Sequence, residues 1–320
     1  DYVIASIRFI NNRQRQITEL VLDGLDCEIR SQQMGQDYYE VTVKLTNPQY
    51  CHSSYELKSF SYRASAIGDA TRTESFGAGT PNGEKYLDIE FWRKIRTTAD
   101  WNRYLSADQI DMIGNYEIAA DLDFAGMSGS QTAELGRKNL GGGEYQAFSG
   151  AVRGAQVSDG AGGTRPASIR NYPAEKGYVI ESMDGGRVEN LLVENISFEG
   201  VPAAQASRGF LAQASGSELS HVRMEGVSMP GAAGSAGALA GTLTECTVEY
   251  CSASDVEMES ADPEQGGTLI LGGLLGSAER STVQRCFVSG LTMTARAGSA
   301  AGGIGGLAGC LTGYGGKLQG

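Results

Sequence analysis

The run from Tyr39 to Leu45 alternates strictly: Tyr39, Val41, Val43 and Leu45 fall on one face and Glu40, Thr42 and Lys44 on the other. That period of two predicts a half-buried antiparallel strand. Comparable runs predict strands over residues 3–10, 16–22, 27–30, 38–45, 55–62 and 86–92, with Asn47-Pro48 and Pro81-Asn82-Gly83 as turns between them. Residues 1–95 therefore read as a small β-sandwich-like module. At Thr97 the period changes. Trp101, Tyr104 and Leu105 recur at helical spacing, with Thr98 as N-cap and Asp100 in the first turn, which predicts a short helix near 98–106. A strand stripe of Tyr116, Ile118, Ala120, Leu122 and Phe124 follows, and the helix is placed to cover the open end of whatever begins there.

The second half of the chain repeats. Arg208-Gly-Phe-Leu-Ala-Gln213, Ala236-Gly-Ala-Leu-Ala-Gly241, Gly272-Gly-Leu-Leu-Gly276 and Gly305-Gly-Leu-Ala-Gly309 each precede a short apolar run. Aligning Leu211, Leu239, Leu274 and Leu307 makes the closing glycine of the first unit a glutamine, Gln213, and gives periods of 28, 35 and 33 residues. A second series, Ile196, Val227, Val256 and Leu291, recurs at 31, 29 and 35 residues. Each unit holds two or three short strands and an apolar face that only a neighbouring unit can cover. Propeller blades need about 40–50 residues, and the asparagine-bearing leucine-rich consensus is missing. The chain is thus expected to be all-β, a right-handed parallel β-helix over 96–320 preceded by the sandwich-like module, with a surface loop around residues 156–165.

Composition sharpens the picture in three ways. Glycine supplies 45 of 320 residues, about twice its usual share, and it clusters in the repeats, so the chain turns tightly and often. The formal charge of −12, with no Lys/Arg-rich run, argues against nucleic acid and favours a cationic or neutral partner. No apolar stretch reaches the length of about 18 residues that a membrane-spanning helix needs. The chain begins directly on a strand-like run and stops amid repeat text, as expected of a piece of a longer polypeptide, so a missing signal peptide does not argue for the cytosol.

The segments Asp100-Trp101, Asn115-Tyr-Glu-Ile-Ala-Ala-Asp-Leu-Asp-Phe124, Phe148-Ser-Gly150 and Ile169-Arg-Asn171, in that order, resemble the opening of GLUG-motif β-helical regions. The Gly-x-Leu-x-Gly runs ending at Gly241, Gly276 and Gly309 resemble the motif itself, and the likeness covers about residues 97–320. The family occurs in bacterial surface proteins, including non-catalytic regions of zinc metallopeptidases that cleave immunoglobulin A. The resemblance implies a secreted or cell-surface location, extracellular rather than cytosolic, and a host glycoprotein or glycan as partner.

A search for chemistry assigns no catalytic, cofactor-binding or metal-binding residue. His52 is followed by Ser-Ser and His221 by Val-Arg, so neither belongs to a His-Glu-x-x-His zinc site or a Gly-x-Ser-x-Gly elbow. Cys51 and His52 are adjacent and point to opposite faces if they lie on a strand. Asp121 and Asp123 share one side of a strand and suit a glycosidase or metal site, or else form the solvated face opposite the Tyr116–Phe124 stripe; Glu189, Glu194, Glu257 and Glu259 read as solvated. Tyr145, Tyr172 and Tyr314 stand in loop-like positions from which to stack on sugars. The glycine runs lack the Lys-Ser/Thr of a phosphate loop. Six cysteines, at 27, 51, 246, 251, 286 and 310, form no CxxC pair. Counting three residues on from Leu243 and Val283 aligns Cys246 with Cys286, either as a disulfide or as stacked buried thiols, the latter favoured. The expected role is a non-enzymatic module of a surface protein, an adhesion or binding surface or a stalk. The alternatives are an accessory, substrate-engaging region of a surface zinc peptidase whose catalytic domain lies elsewhere, and a carbohydrate-active β-helix.

Overall fold

In the computed structural model, the described residues are 3–10, 17–22, 27–34, 38–45, 55–57, 59–64, 71–75 and 87–89. From 92 onward they are all residues except 107–109, 136–137, 142–143, 203–205, 262–267, 296–300, 314–316 and 320. They fall into two compact units, one of residues 1–94 with 113–117, the other of 95–112 with 118–320.

The first unit is built of antiparallel strands close to those predicted. Tyr38–Leu45 lies between Val3–Ile10 and Cys27–Met34, with Val3 opposite Leu45 and Phe9 opposite Tyr39. Ser59–Ala64 lies between Ile17–Leu22 and Thr71–Ser75, and Tyr55–Leu57 pairs with Leu87–Ile89.

The second unit is a parallel β-helix of about four turns. Its coils occupy residues 178–198, 207–232, 235–260 and 269–294, with partial coils before and after them. Strands stack in register from coil to coil. Ile196, Val227, Val256 and Leu291 form one inward column, as the repeat predicts, because Val227 pairs with Val256, Val256 with Leu291, and Ser197 with Ser228.

The other repeat is shifted by one residue at its start. Leu211 pairs with Ala240, Ala240 with Leu275 and Leu275 with Ala308, so Phe210, not Leu211, is the equivalent of Leu239. Arg208 pairs with Ala236 on the other side of the same corner, which leaves that corner one residue shorter in its first occurrence. The closing position there is accordingly Ala212, a small residue like Gly241 and Gly276, whereas Gln213 pairs with Thr242. The corner glycines answer to steric need. A Cβ on Gly272 would lie 1.8 Å from the Leu275 carbonyl oxygen, and one on Gly276 would lie 2.5 Å from that of Gly241.

A five-residue pattern governs the other corners. Residues 185, 190 and 195, then 216, 221 and 226, then 245, 250 and 255, then 280, 285 and 290 all have φ between +49° and +68°. Between these left-handed residues the first and third positions of each pentad point inward: Leu191 and Val193, Ile196 and Phe198, Val222 and Met224 and Val248 are buried, as are Cys251 and Ala253. Left-handed backbone costs a non-glycine residue about 1 kcal/mol, and Asn and Asp tolerate it best. Down one such corner Asn171 and Asn195 are followed by Gly226, Asp255 and Gly290.

The short helix is Thr98–Leu105, and its N-cap is Thr97, one residue before the expected Thr98. Thr97 Oγ1 accepts from the Asp100 amide at 3.0 Å, and Asp100 Oδ2 accepts from the Thr97 amide at 3.1 Å, a reciprocal capping box. The helix drops Trp101 onto Phe124 and Tyr172, with ring centroids 5.7 and 5.9 Å away in edge-on contacts. Trp101 Nε1 and the Tyr172 hydroxyl both donate to the Ala133 carbonyl, and Asn102 holds the Ala133 amide. This end of the β-helix is covered by a packed aromatic cap.

Candidate functional site

The two aspartates singled out in the sequence are committed to structure. Asp121 accepts from Arg165 Nη1 at 2.8 Å and Nη2 at 2.5 Å, from Arg170 Nη2 at 2.5 Å, and from the Ser168 amide and hydroxyl, both at 3.0 Å. Arg170 Nε also meets Glu194 at 3.1 Å. The Arg165 guanidinium, helped by Ser168 and opposed by burial, holds the Asp121 carboxyl far below the ordinary carboxylate range. Asp123 accepts from the Asn171 side chain at 2.8 Å and the Ala125 amide at 2.9 Å, and those bonds lower its pKa as well. Two arginines occupy the place where a metal or a second carboxylate would act.

The cluster is a clasp. It ties the hairpin of Gln156–Ser158 and Thr164–Pro166, which stands where a loop was expected, to the strand Ser168–Arg170. Because the folded pKa of Asp121 lies below the unfolded one, its contribution is present above about pH 4 and is lost as pH falls through the folded value. Asp121→Asn is expected to cost about 1–3 kcal/mol at neutral pH and to flatten the acid limb of the stability curve, read by urea unfolding at several pH values.

The aromatic positions separate. Tyr145 is exposed but lies on the strand Glu144–Gln146, opposite Asn139, rather than in a loop; Tyr172 is 1% exposed and belongs to the cap, which corrects its reading as a sugar-stacking residue. Tyr314 and His52 lie outside the described residues. His221 stacks on Tyr250 at 4.7 Å with an interplanar angle of 14°, and Arg285 covers Tyr250 at 5.0 Å. Asn190, His221, Tyr250 and Arg285 are successive left-handed residues of one corner, so the exposed rings form a ladder in which His221 and Arg285 both stack against Tyr250.

Three further features emerge from tertiary structure. An open groove of about 640 Å³ is lined by Pro173, Glu175, Tyr178, Ser197 and Glu199, among others, and Glu175 there accepts from the Gly129 amide at 2.9 Å. Lys176, which also lines the groove, pairs with Glu134 at 2.7 Å, and burial pushes the Glu134 carboxyl above its ordinary value while Lys176 pulls it back. Arg208 is fully buried, donating to the Gly231 and Pro202 carbonyls at 2.7 and 2.9 Å, and burial lowers its pKa to about 10.

The cysteine alignment is also corrected. Leu243 pairs with Ala278 and Val283 with Val248, so the two anchors belong to different walls. Cys246 stacks on Ser281, whose hydroxyl accepts from the Cys246 amide at 3.0 Å, and the neighbour of Cys286 is Cys251. All four cysteines described beyond residue 200 are free thiols.

Compared with protein-family models and with curated proteins, the chain matches none. Among the described residues no group of three or more His, Cys, Asp or Glu is gathered for a metal. No helix there is long and apolar enough to cross a membrane.

What the geometry does offer is a wall. Ser197, Ser228, Glu257 and Thr292 form one outward column, and Glu194, Glu225, Ser254 and Ser289 another, each rising in strict register. The step between rungs is the strand spacing, about 4.8 Å. Hydroxyls and carboxylates are thereby held at regular intervals on a backbone whose own hydrogen bonds are made within the sheet.

Proposed function

We propose that this chain is a non-enzymatic module of a secreted or cell-surface bacterial protein, working as an adhesion surface or a stalk, as the GLUG resemblance implies. The observation that carries this reading is the polar wall: ordered columns of serine, threonine and glutamate suit an extended ligand that repeats along the solenoid axis. A glycan chain or a glycosylated host protein has that form, and the acidic balance of the chain favours neutral or cationic surfaces. The committed state of Asp121 and Asp123 supports the same reading over a glycosidase at that position.

The test is a glycan and host-glycoprotein array probed with the purified chain, read together with release of reducing sugar or peptide from each ligand bound. Binding without turnover, lost in Ser228→Arg/Glu257→Arg, is the expected result. Turnover overturns the non-enzymatic reading and directs attention to the groove beside Glu175 and Glu199. Silence across the array leaves the stalk.

A further inference from the structure

The groove beside Glu175 lies at the ends of two stacked coils. Pro173 pairs with Ser197 and the Ala174 amide donates to the Ser197 carbonyl at 3.0 Å, so the two strands run about 4.8 Å apart there. Glu175 and Glu199 each stand two residues further on, and both line the same opening of about 640 Å³. Like charges on neighbouring rungs repel, and the cation on the lining does not offset them. It is Lys176, whose Nζ is engaged by Glu134 at 2.7 Å.

The two carboxylates are held differently. Glu175 Oε1 accepts from the Gly129 amide at 2.9 Å, and a Cβ on Gly129 would lie 2.8 Å from Cδ and Oε2 of Glu175, so the glycine leaves that carboxylate its place. The Glu199 carboxylate is exposed and makes no hydrogen bond or ion pair with a described residue. The Ser197 hydroxyl, which accepts from the Glu199 amide at 3.3 Å, is a third acceptor on the lining. Pro173, Pro202 and the edge of Tyr178 give the walls apolar surface.

An ammonium group donates three hydrogen bonds from a compact charged head, which suits two carboxylates and a hydroxyl. A divalent cation suits them less, because it takes six or more oxygen ligands and no third His, Cys, Asp or Glu joins the pair among the described residues. The volume lies within the range of about 300–1,000 Å³ usual for small-ligand sites, where apolar walls carry the body of the ligand and a few polar groups orient it. A sugar ring offers both, C–H faces for the prolines and hydroxyls for the carboxylates. Ser197 also opens the outward column that continues through Ser228, Glu257 and Thr292, so a chain lying on the polar wall ends in the groove.

We propose that this groove is a subsite for an amino sugar with a free amine, its ammonium held between Glu175 and Glu199, at the end of a glycan lying on the wall. The assignment takes its ligand class from the reading of the wall as a glycan-binding surface and adds which sugar the end of that surface selects.

The experiment titrates the full chain by calorimetry with a β-1,4-linked glucosamine tetramer, its fully N-acetylated counterpart and tetralysine, at about pH 6, where amines are protonated and carboxylates ionised. The glucosamine tetramer is expected to bind at least about tenfold more tightly than either of the others. Glu199→Gln and Glu175→Gln are each expected to weaken it about tenfold; the amide keeps the side-chain shape and, at 175, an oxygen for the Gly129 amide. Gly129→Ala, which displaces the Glu175 carboxylate without removing it, should weaken it too. Glu218→Gln removes the same charge on another wall and should leave the affinity unchanged. Equal binding of the three ligands, or equal losses in Glu218→Gln and Glu199→Gln, shows only the pull of a chain of charge −12 on polycations and overturns the subsite. Tighter binding of tetralysine, or no binding of the glucosamine tetramer, overturns it as well. Glycan binding lost in Ser228→Arg/Glu257→Arg but kept in Glu199→Gln overturns the groove and leaves the wall standing, whereas binding that needs Glu175 and Glu199 and survives Ser228→Arg/Glu257→Arg supports the groove and removes the wall.

Discussion

Gly272→Ala is expected to destabilise the β-helix by about 3–5 kcal/mol, at the upper end of single-substitution effects. The added Cβ would stand 1.8 Å from the Leu275 carbonyl oxygen, 2.5 Å from the Gly309 nitrogen and 2.8 Å from the Ala308 Cα, all of them backbone atoms. No rotamer change relieves an overlap with backbone, so the corner must open and the coils on either side must separate. Gly126→Ala supplies the contrast. Gly126 has φ of +80° but nothing within 4 Å of the added Cβ, so only the conformational strain of about 1 kcal/mol remains. Denaturant unfolding measures both, and a Gly272 variant as stable as the Gly126 variant would contradict the close approach. Amide exchange should rise around residues 235–241, 269–276 and 301–309, the stacked turns that the corner joins.

Trp101→Ala is expected to cost about 3–5 kcal/mol, the usual effect of removing a buried large aromatic side chain. Trp101 is fully buried, meets Phe124 and Tyr172 edge-on, and donates to Ala133 at 2.6 Å. Without it the first apolar rung of the solenoid faces water. Loss in a repeat array is local because each coil contacts only its neighbours. Amide exchange should therefore accelerate over residues 167–198 while residues 252–258 keep their protection. Uniform loss of protection would show that the coils unfold as one unit and that the cap sets the stability of all of them. Asn102→Ala removes two hydrogen bonds from the same cap and should cost about 1–2 kcal/mol.

Legibility differs between the two repeats for a physical reason. Ile196, Val227, Val256 and Leu291 were readable because each sits in a pentad, where an inward apolar residue, a second inward residue and a left-handed turn recur with no insertions. The glycine corner varies in length, and its first occurrence is one residue short, so an alignment through Leu211 slips by one. The same kind of slip separated Cys286 from its true neighbour, because Leu243 and Val283 were matched across different walls. The five-residue spacing of Asn190, Asn195 and Gly200, and of Gly216, His221, Gly226 and Gly231, was the signal that would have set the register. It is weak in sequence because Glu245, Tyr250, Arg280 and Arg285 also take the left-handed turn and look like ordinary surface residues.

The candidate surfaces were less legible still. Asp121 and Asp123 stood out as a carboxylate pair, but Arg165 and Arg170 lie 44 and 49 residues beyond Asp121 and reach it only through the hairpin and the stacking of strands. Tyr172 looked like a loop residue because Asn171-Tyr-Pro-Ala is turn-like; it is buried because the helix at 98–105 folds back over it.

By itself the sequence determined the class of structure: strand alternation in the first 95 residues, a capped helix after Thr97, and repeats whose apolar faces can be buried only by stacking. Those are local properties, periodicity and turn chemistry, and they act before any distant residue is in place. Tertiary structure alone decided which rungs touch. The Cys251 and Cys286 pairing, the arginine clasp on Asp121, the burial of Arg208 against two carbonyls and the His221–Tyr250–Arg285 ladder all depend on register between coils, and register is a sum over many weak contacts, so one residue more or less at a corner moves every side chain beyond it to a new neighbour.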